Sequence, residues 1–160
     1  MYNHQKQNTM TQFEYDSRRE QINRRDRQMR NAARSEWAHR RNAIDDTLNQ
    51  ARGEYNRKLV ENQLKLDEIL KERLELKRQG LEPHHPHMEA NYQAERNVHQ
   101  FMRADKNYLD QVRHRAKRES QSVEIWYMEE MDNIKKQIAD ELLELTRQRE
   151  EDNKIKLVEP

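Results

Sequence analysis

Three histidines, His84, His85 and His87, crowd around Glu82 in one short stretch of the chain. Imidazoles at this spacing suit zinc, copper or nickel. A structural zinc site needs four ligands held by a further layer of hydrogen bonds, and this stretch offers little beyond the three rings. An exposed polar loop is the plainer expectation, with no metal and no cofactor. Other catalytic signals are missing. The chain has no cysteine, no glycine-rich phosphate loop, no Gly-x-Ser-x-Gly and no His-Glu-x-x-His. Its many carboxylates would need a dry concave pocket to shift their pKa values, which a thin helical protein does not offer. A non-enzyme without a small-molecule substrate is expected.

Arginine is the second chemistry-bearing population. Arg24, Arg27, Arg34 and Arg41 fall on the helix face roughly opposite the apolar stripe. A second cluster, Arg113-His114-Arg115-Ala116-Lys117-Arg118, contributes Arg113, Arg115 and Arg118. Such faces can hold phosphate backbones, with steep salt dependence. No helix-turn-helix, zinc finger or aromatic RNA platform accompanies them. Nucleic acid is therefore a secondary expectation and a solvated charged face the primary one.

Apolar residues outside the stripe form the third group. Ile125, Trp126, Met128 and Leu143 lie near the acidic end, and Val60 and Leu64 lie toward the middle turn with Ile69, Leu74 and Leu76. One two-helix seam cannot bury all of them. An exposed Trp with Met and Ile beside it has the composition of a contact patch. Ile125, Trp126, Met128, Leu143, Val60 and Leu64 are thus the candidate partner-contact residues, for a protein partner or a second copy.

The elements that carry these residues follow from composition. Of 160 residues, 38% are charged and 32% hydrophobic, with only two glycines and three prolines. A typical domain is about 45–50% apolar and about 25% charged. The shortage of turn residues excludes sandwiches and doubly wound sheets. Long helix is what remains. The longest uninterrupted apolar run is Ile125-Trp126-Tyr127-Met128, far short of the roughly 20 residues that span a bilayer, and the N-terminus carries no secretory core. No membrane insertion and a cytoplasmic or intravirion location are expected.

The one strong interruption is Gly80-Leu81-Glu82-Pro83-His84-His85-Pro86-His87. Gly80 can close a helix, and Pro86 can open the next. Upstream, Thr9-Met10-Thr11-Gln12 has the form of a capping box. The expected organisation is a polar N-terminal tail at 1–11, helix at 12–79, a turn at 80–86, helix at 87–153 and a C-terminal tail at 154–160. At about 1.5 Å per residue each helix is on the order of 100 Å long, so each needs a packed partner.

The apolar period identifies that partner. Steps of 3, 4 and 4 from Tyr15 reach Ile22, Met29, Ala33, Trp37, Ile44, Leu48, Ala51, Tyr55, Leu59, Leu66 and Leu70, with polar exceptions at Arg18, Asp26, Arg40 and Asn62. The same steps from Ala94 reach Val98, Phe101, Leu109, Val112, Ala116, Val123, Tyr127, Met131, Ile134, Ile138, Leu142 and Leu145, interrupted by Asp105 and Ser120 and followed by Arg149. This 11-residue period predicts a nearly straight or slightly right-handed pair. Folding the chain at residue 82 keeps both seams in phase and sets Trp37 against Tyr127. The fold class expected is all-α: an antiparallel helical hairpin of coiled-coil type, elongated as a rod. Charge agrees, being net +5 over residues 1–60, +1 over 61–120 and −5 over 121–160, so the ends attract in the antiparallel sense.

In size, charge and hairpin form the chain resembles the two-helix, cysteine-free stalk proteins of flagellar and type III export machines, and the helical internal proteins of tailed phages. The tetrapeptide Met88-Glu89-Ala90-Asn91 also occurs in stathmin, a tubulin-binding helix protein. These resemblances imply a structural or assembly role as stalk, spacer or adaptor in a larger complex. A phosphate-binding protein and a filament- or tubulin-associated helix are the alternatives.

Overall fold

The computed structural model describes residues 9–158, and within them two helices and no strand. Helix α1 spans Gln12–Arg78 and helix α2 spans Pro86–Val158. The two pack against each other as a helical hairpin. Much of the expected terminal tails, 1–8 and 159–160, lies outside the described residues.

Local chemistry sets the helix ends. The Thr11 hydroxyl accepts the Glu14 N–H at 3.1 Å, and the Glu14 carboxylate accepts the Thr11 N–H at 3.4 Å. This reciprocal pair is a capping box, built two residues later than the Thr9 frame suggests. Residues 10 and 11 are accordingly not free tail. Met10 is buried beside Tyr15 and Leu145, and its N–H reaches Asp152 Oδ2 at 2.7 Å.

At the other end of α1, Gly80 adopts φ of 78°. The Gly80 N–H donates to Lys77 O and the Leu81 N–H to Leu76 O. This is the Schellman pattern, for which glycine is suited because it alone lacks a Cβ. Helix α2 opens on Pro86, where a missing N–H removes nothing. It continues to Val158 rather than stopping at 153. No glycine or proline interrupts 151–158, and the docking of Asp152 onto Met10 holds the helix past the expected end.

The chain forms two compact units. In the unit of Met1–Arg40 and Ser122–Pro160, Ala33, Ile134 and Ile138 make a buried cluster, with Met29, Tyr127, Met131 and Leu142 packed against it. Trp37 and Tyr127 meet with ring centroids 5.4 Å apart, as the fold point at residue 82 requires. The Trp37 indole N–H donates to Glu124 at 3.0 Å, Arg25 pairs with Glu141, and Arg149 covers Tyr15.

In the unit of Arg41–Gln121, Ile44, Val98, Leu109, Val112 and Ala116 are buried along the seam. Asn62 is buried too, and its amide donates to Asp105 at 3.4 Å, a polar layer of the kind that fixes register. Two seam positions depart from expectation. Phe101 is 61% exposed and Leu70 47% exposed. A three-residue step turns the helix about 60° short of a full circle, so Phe101, three after Val98, stands at the edge of the stripe and its ring lies on the flank.

Candidate functional site

The outward apolar residues obey one geometric rule. Val60 and Leu64 each lie two residues from buried Asn62, Ile125 two from buried Val123, and Leu143 two from buried Leu145. Two residues turn a helix by about 200°, so all four point away from the seam. Their exposures are 56%, 58%, 57% and 69%. Met128 is likewise exposed. Within their unit, Ile125 and Leu143 do not form one patch. Ile125 and Leu143 are separated by roughly 27 Å along α2, with Asp132 and Lys136 on the surface between them. Val60 and Leu64 belong to the other unit.

Trp126 does not join them. Its ring is half-buried, with the Arg40 guanidinium 4.0 Å above the ring centroid. The cation covers the face that the sequence leaves open, a contact that follows from folding the chain at residue 82 but not from composition.

The arginine candidates are dispersed. Arg24, Arg27 and Arg34 are exposed on α1, and Arg27 is drawn to Glu20 at 3.3 Å. In the other unit Arg41 and Arg118 are engaged within the protein. Arg113 pairs with Asp110 at 3.6 Å, and Arg115 lines a groove beside Tyr108. Each engaged guanidinium must release a partner before it can take a phosphate.

The histidine turn has a structural task. His85 Nδ1 accepts the His87 N–H at 3.1 Å, which caps the first turn of α2, and the two rings stack with centroids 5.0 Å apart. A nitrogen committed to the backbone is not offered to a metal. Among the described residues no group of three or more His, Asp or Glu converges in a metal-holding arrangement.

Next to this turn lies a network that the sequence reading missed. The Asn91 amide donates to the Ile69 carbonyl at 2.9 Å, and its oxygen accepts from Arg73 Nε at 2.8 Å. Arg73 also pairs with Glu95, and its guanidinium lies 4.2 Å from the Tyr92 ring centroid. The Arg73 hydrogen bond, with its charge and that of His99, holds the Glu95 carboxyl below the ordinary 4.5 despite opposing desolvation. At the far end of α2 the Glu144 carboxylate, then Glu151, raises the Arg147 pKa. Both shifts come from ion pairs, the Arg73–Glu95 pair partly buried and the Arg147–Glu144 pair exposed.

Grooves along the hairpin are open and charged. One of about 670 Å³ is lined by Arg18, Ile22, Arg25, Asp140, Glu144 and Leu145. No helix among the described residues is long and apolar enough to cross a membrane. No family model, curated protein or solved structure compared with the chain matches it.

Proposed function

We propose that this protein is a non-enzymatic helical assembly protein, a spacer or adaptor that holds protein partners on the outer faces of its hairpin, in the cytoplasm or inside a virion. The observation that carries this reading is the placement of Val60, Leu64, Ile125 and Leu143 opposite the seam. A two-helix pair has one seam, so outward apolar side chains have nothing within their own unit to cover them. Exposed large apolar groups on separate outer faces suit partner helices or a partner long enough to engage two points.

The test is co-purification from the native source at physiological salt. The Ile125→Asp/Leu143→Asp and Val60→Asp/Leu64→Asp variants keep their helicity, since all four side chains are exposed, and at least one loses companions that the unaltered chain retains. Identical companions for all three proteins would overturn the reading. Duplex binding addresses the phosphate alternative. The assembly reading expects little retention at about 50 mM salt, whereas a phosphate binder would hold there and release by about 200 mM.

A further inference from the structure

One flank of the unit Arg41–Gln121 carries features outside the faces invoked above. On α2, Phe101 and Tyr108 are 61% and 59% exposed. They are seven residues apart, two turns of one helix face, so the rings stand about 10 Å apart along the axis. On α1, Glu54, Lys58, Glu61 and Lys65 repeat acid, base, acid, base on the adjoining flank; Lys58 already lies 3.3 Å from Glu54 and Arg57 pairs with Glu61 at 2.7 Å, exposed pairs that cost little to exchange. Glu54 and Tyr108 line the same groove of about 290 Å³, floored by Ile44, Ala51, Val112 and Ala116, which places the two sets on one side of the unit.

Both sets have the same centre. The charge series reads with opposite sign from its two ends, and its midpoint falls between Leu59 and Val60. The aromatic pair has its midpoint between Ala104 and Asp105. Asp105 is reached by Lys58 Nζ at 3.8 Å and by the Asn62 amide at 3.4 Å, so these midpoints lie at one level of the hairpin. A two-fold axis drawn across the flank at that level maps every member onto a complement. Glu54 meets Lys65 of a second copy, Lys58 meets Glu61, and Phe101 meets Tyr108. Each contact occurs twice, as an isologous interface demands. Lys65 has no carboxylate partner among the described residues, and this arrangement supplies one. An arrangement that superposed equal residue numbers would set Glu54 on Glu54 and Lys65 on Lys65.

We propose that this flank is a homodimer interface, in which two copies pack antiparallel, α1 on α1 and α2 on α2, about an axis passing at the level of Leu59 and Asp105. The aromatic pairs supply the buried area, and offset or tilted ring contacts favour it. The Glu/Lys series selects the antiparallel sense and rejects slipped registers. Because it uses none of the outward residues assigned to other partners, loss of this interface and loss of those partners are separable.

The test uses the full chain, which has no native cysteine. Phe101→Cys and Tyr108→Cys proteins are prepared separately, mixed in equal amounts and oxidised. The expected product is a covalent dimer joining position 101 of one chain to 108 of the other, in excess of either same-site dimer. Sedimentation equilibrium gives the energetic arm. Tyr108→Glu and Lys65→Glu each raise the dimer dissociation constant at least about tenfold, and the swap Glu54→Lys/Lys65→Glu restores it. A chain that stays monomeric to about 100 μM, same-site disulfides in excess, or a swap that fails to restore association would each overturn the proposal.

Discussion

Arg73 binds three neighbours at once, the Asn91 oxygen, the Glu95 carboxylate and the Tyr92 ring, and it does so at the level where Asn91 also holds the Ile69 carbonyl. Asn91 is only 3% exposed, so removing its amide strands polar groups away from water. Asn91→Ala should lower stability by about 1–3 kcal/mol, measured by chemical denaturation. Glu95 adds a pH signature. Its pKa is lowered on folding, chiefly by the Arg73 hydrogen bond. The stabilisation it contributes is present above the ordinary carboxylate value of 4.5 and is lost as pH falls through the lowered folded value. Glu95→Gln should therefore be less stable than the unaltered chain at neutral pH, and the gap should close in acid. A constant gap across that range would show that the pair does not govern the titration. None of this was legible in the sequence, because Asn91 and Arg73 meet only once the turn is closed. The histidines illustrate the reverse case. Their spacing suggests metal chemistry, while the structure uses His85 as a helix cap.

At the scale of the element, the seam was legible almost residue by residue. Stepping by 3, 4 and 4 found Ala33, Ile44, Val98, Leu109, Ile134, Ile138 and Leu145, all buried, because burial on a helix is set by angle and angle by residue number. The stepping failed at Phe101 and Leu70, where the stripe is narrow and a large side chain at its edge turns outward. The start of α1 at residue 12 was legible, but its cap was placed two residues early, because Thr9-x-x-Gln12 and Thr11-x-x-Glu14 both satisfy the capping pattern and only the latter makes both hydrogen bonds. Two measurements follow at this scale. Ile134, 3% exposed, should lose about 2–5 kcal/mol on substitution by Ala, whereas Leu143→Ala, at 69% exposure, should stay within about 0.5 kcal/mol. Thr11→Ala should cost about 1 kcal/mol and fray the first turn of α1, seen as faster amide exchange near Glu14. An equal loss for Ile134→Ala and Leu143→Ala would mean that Leu143 is packed in solution and that its outer face is not free for a partner.

For the molecule as a whole, composition excluded sheets and left long helix, and 93% of the described residues are helical. Circular dichroism of the purified chain should accordingly show well over two-thirds helix. The antiparallel sense was legible in the charge gradient, realised as Arg25 with Glu141, although exposed pairs of this kind contribute only about 0–1 kcal/mol each. The outward apolar residues were legible only in part. Sequence picks out apolar residues that one seam cannot bury, but whether each faces solvent, as Ile125 does, or lies under an arginine, as Trp126 does, depends on contacts across the hairpin. The surfaces of the unit of Met1–Arg40 and Ser122–Pro160 rest on one register, with Trp37 against Tyr127. That register is tested most directly by a short bis-maleimide applied at high dilution to the Trp37→Cys/Tyr127→Cys protein. This register predicts rapid cross-linking within one chain, and little for Trp37→Cys/Ile138→Cys, which is displaced by about 16 Å along the axis. Efficient reaction of the displaced pair with none at Trp37 and Tyr127 would contradict it.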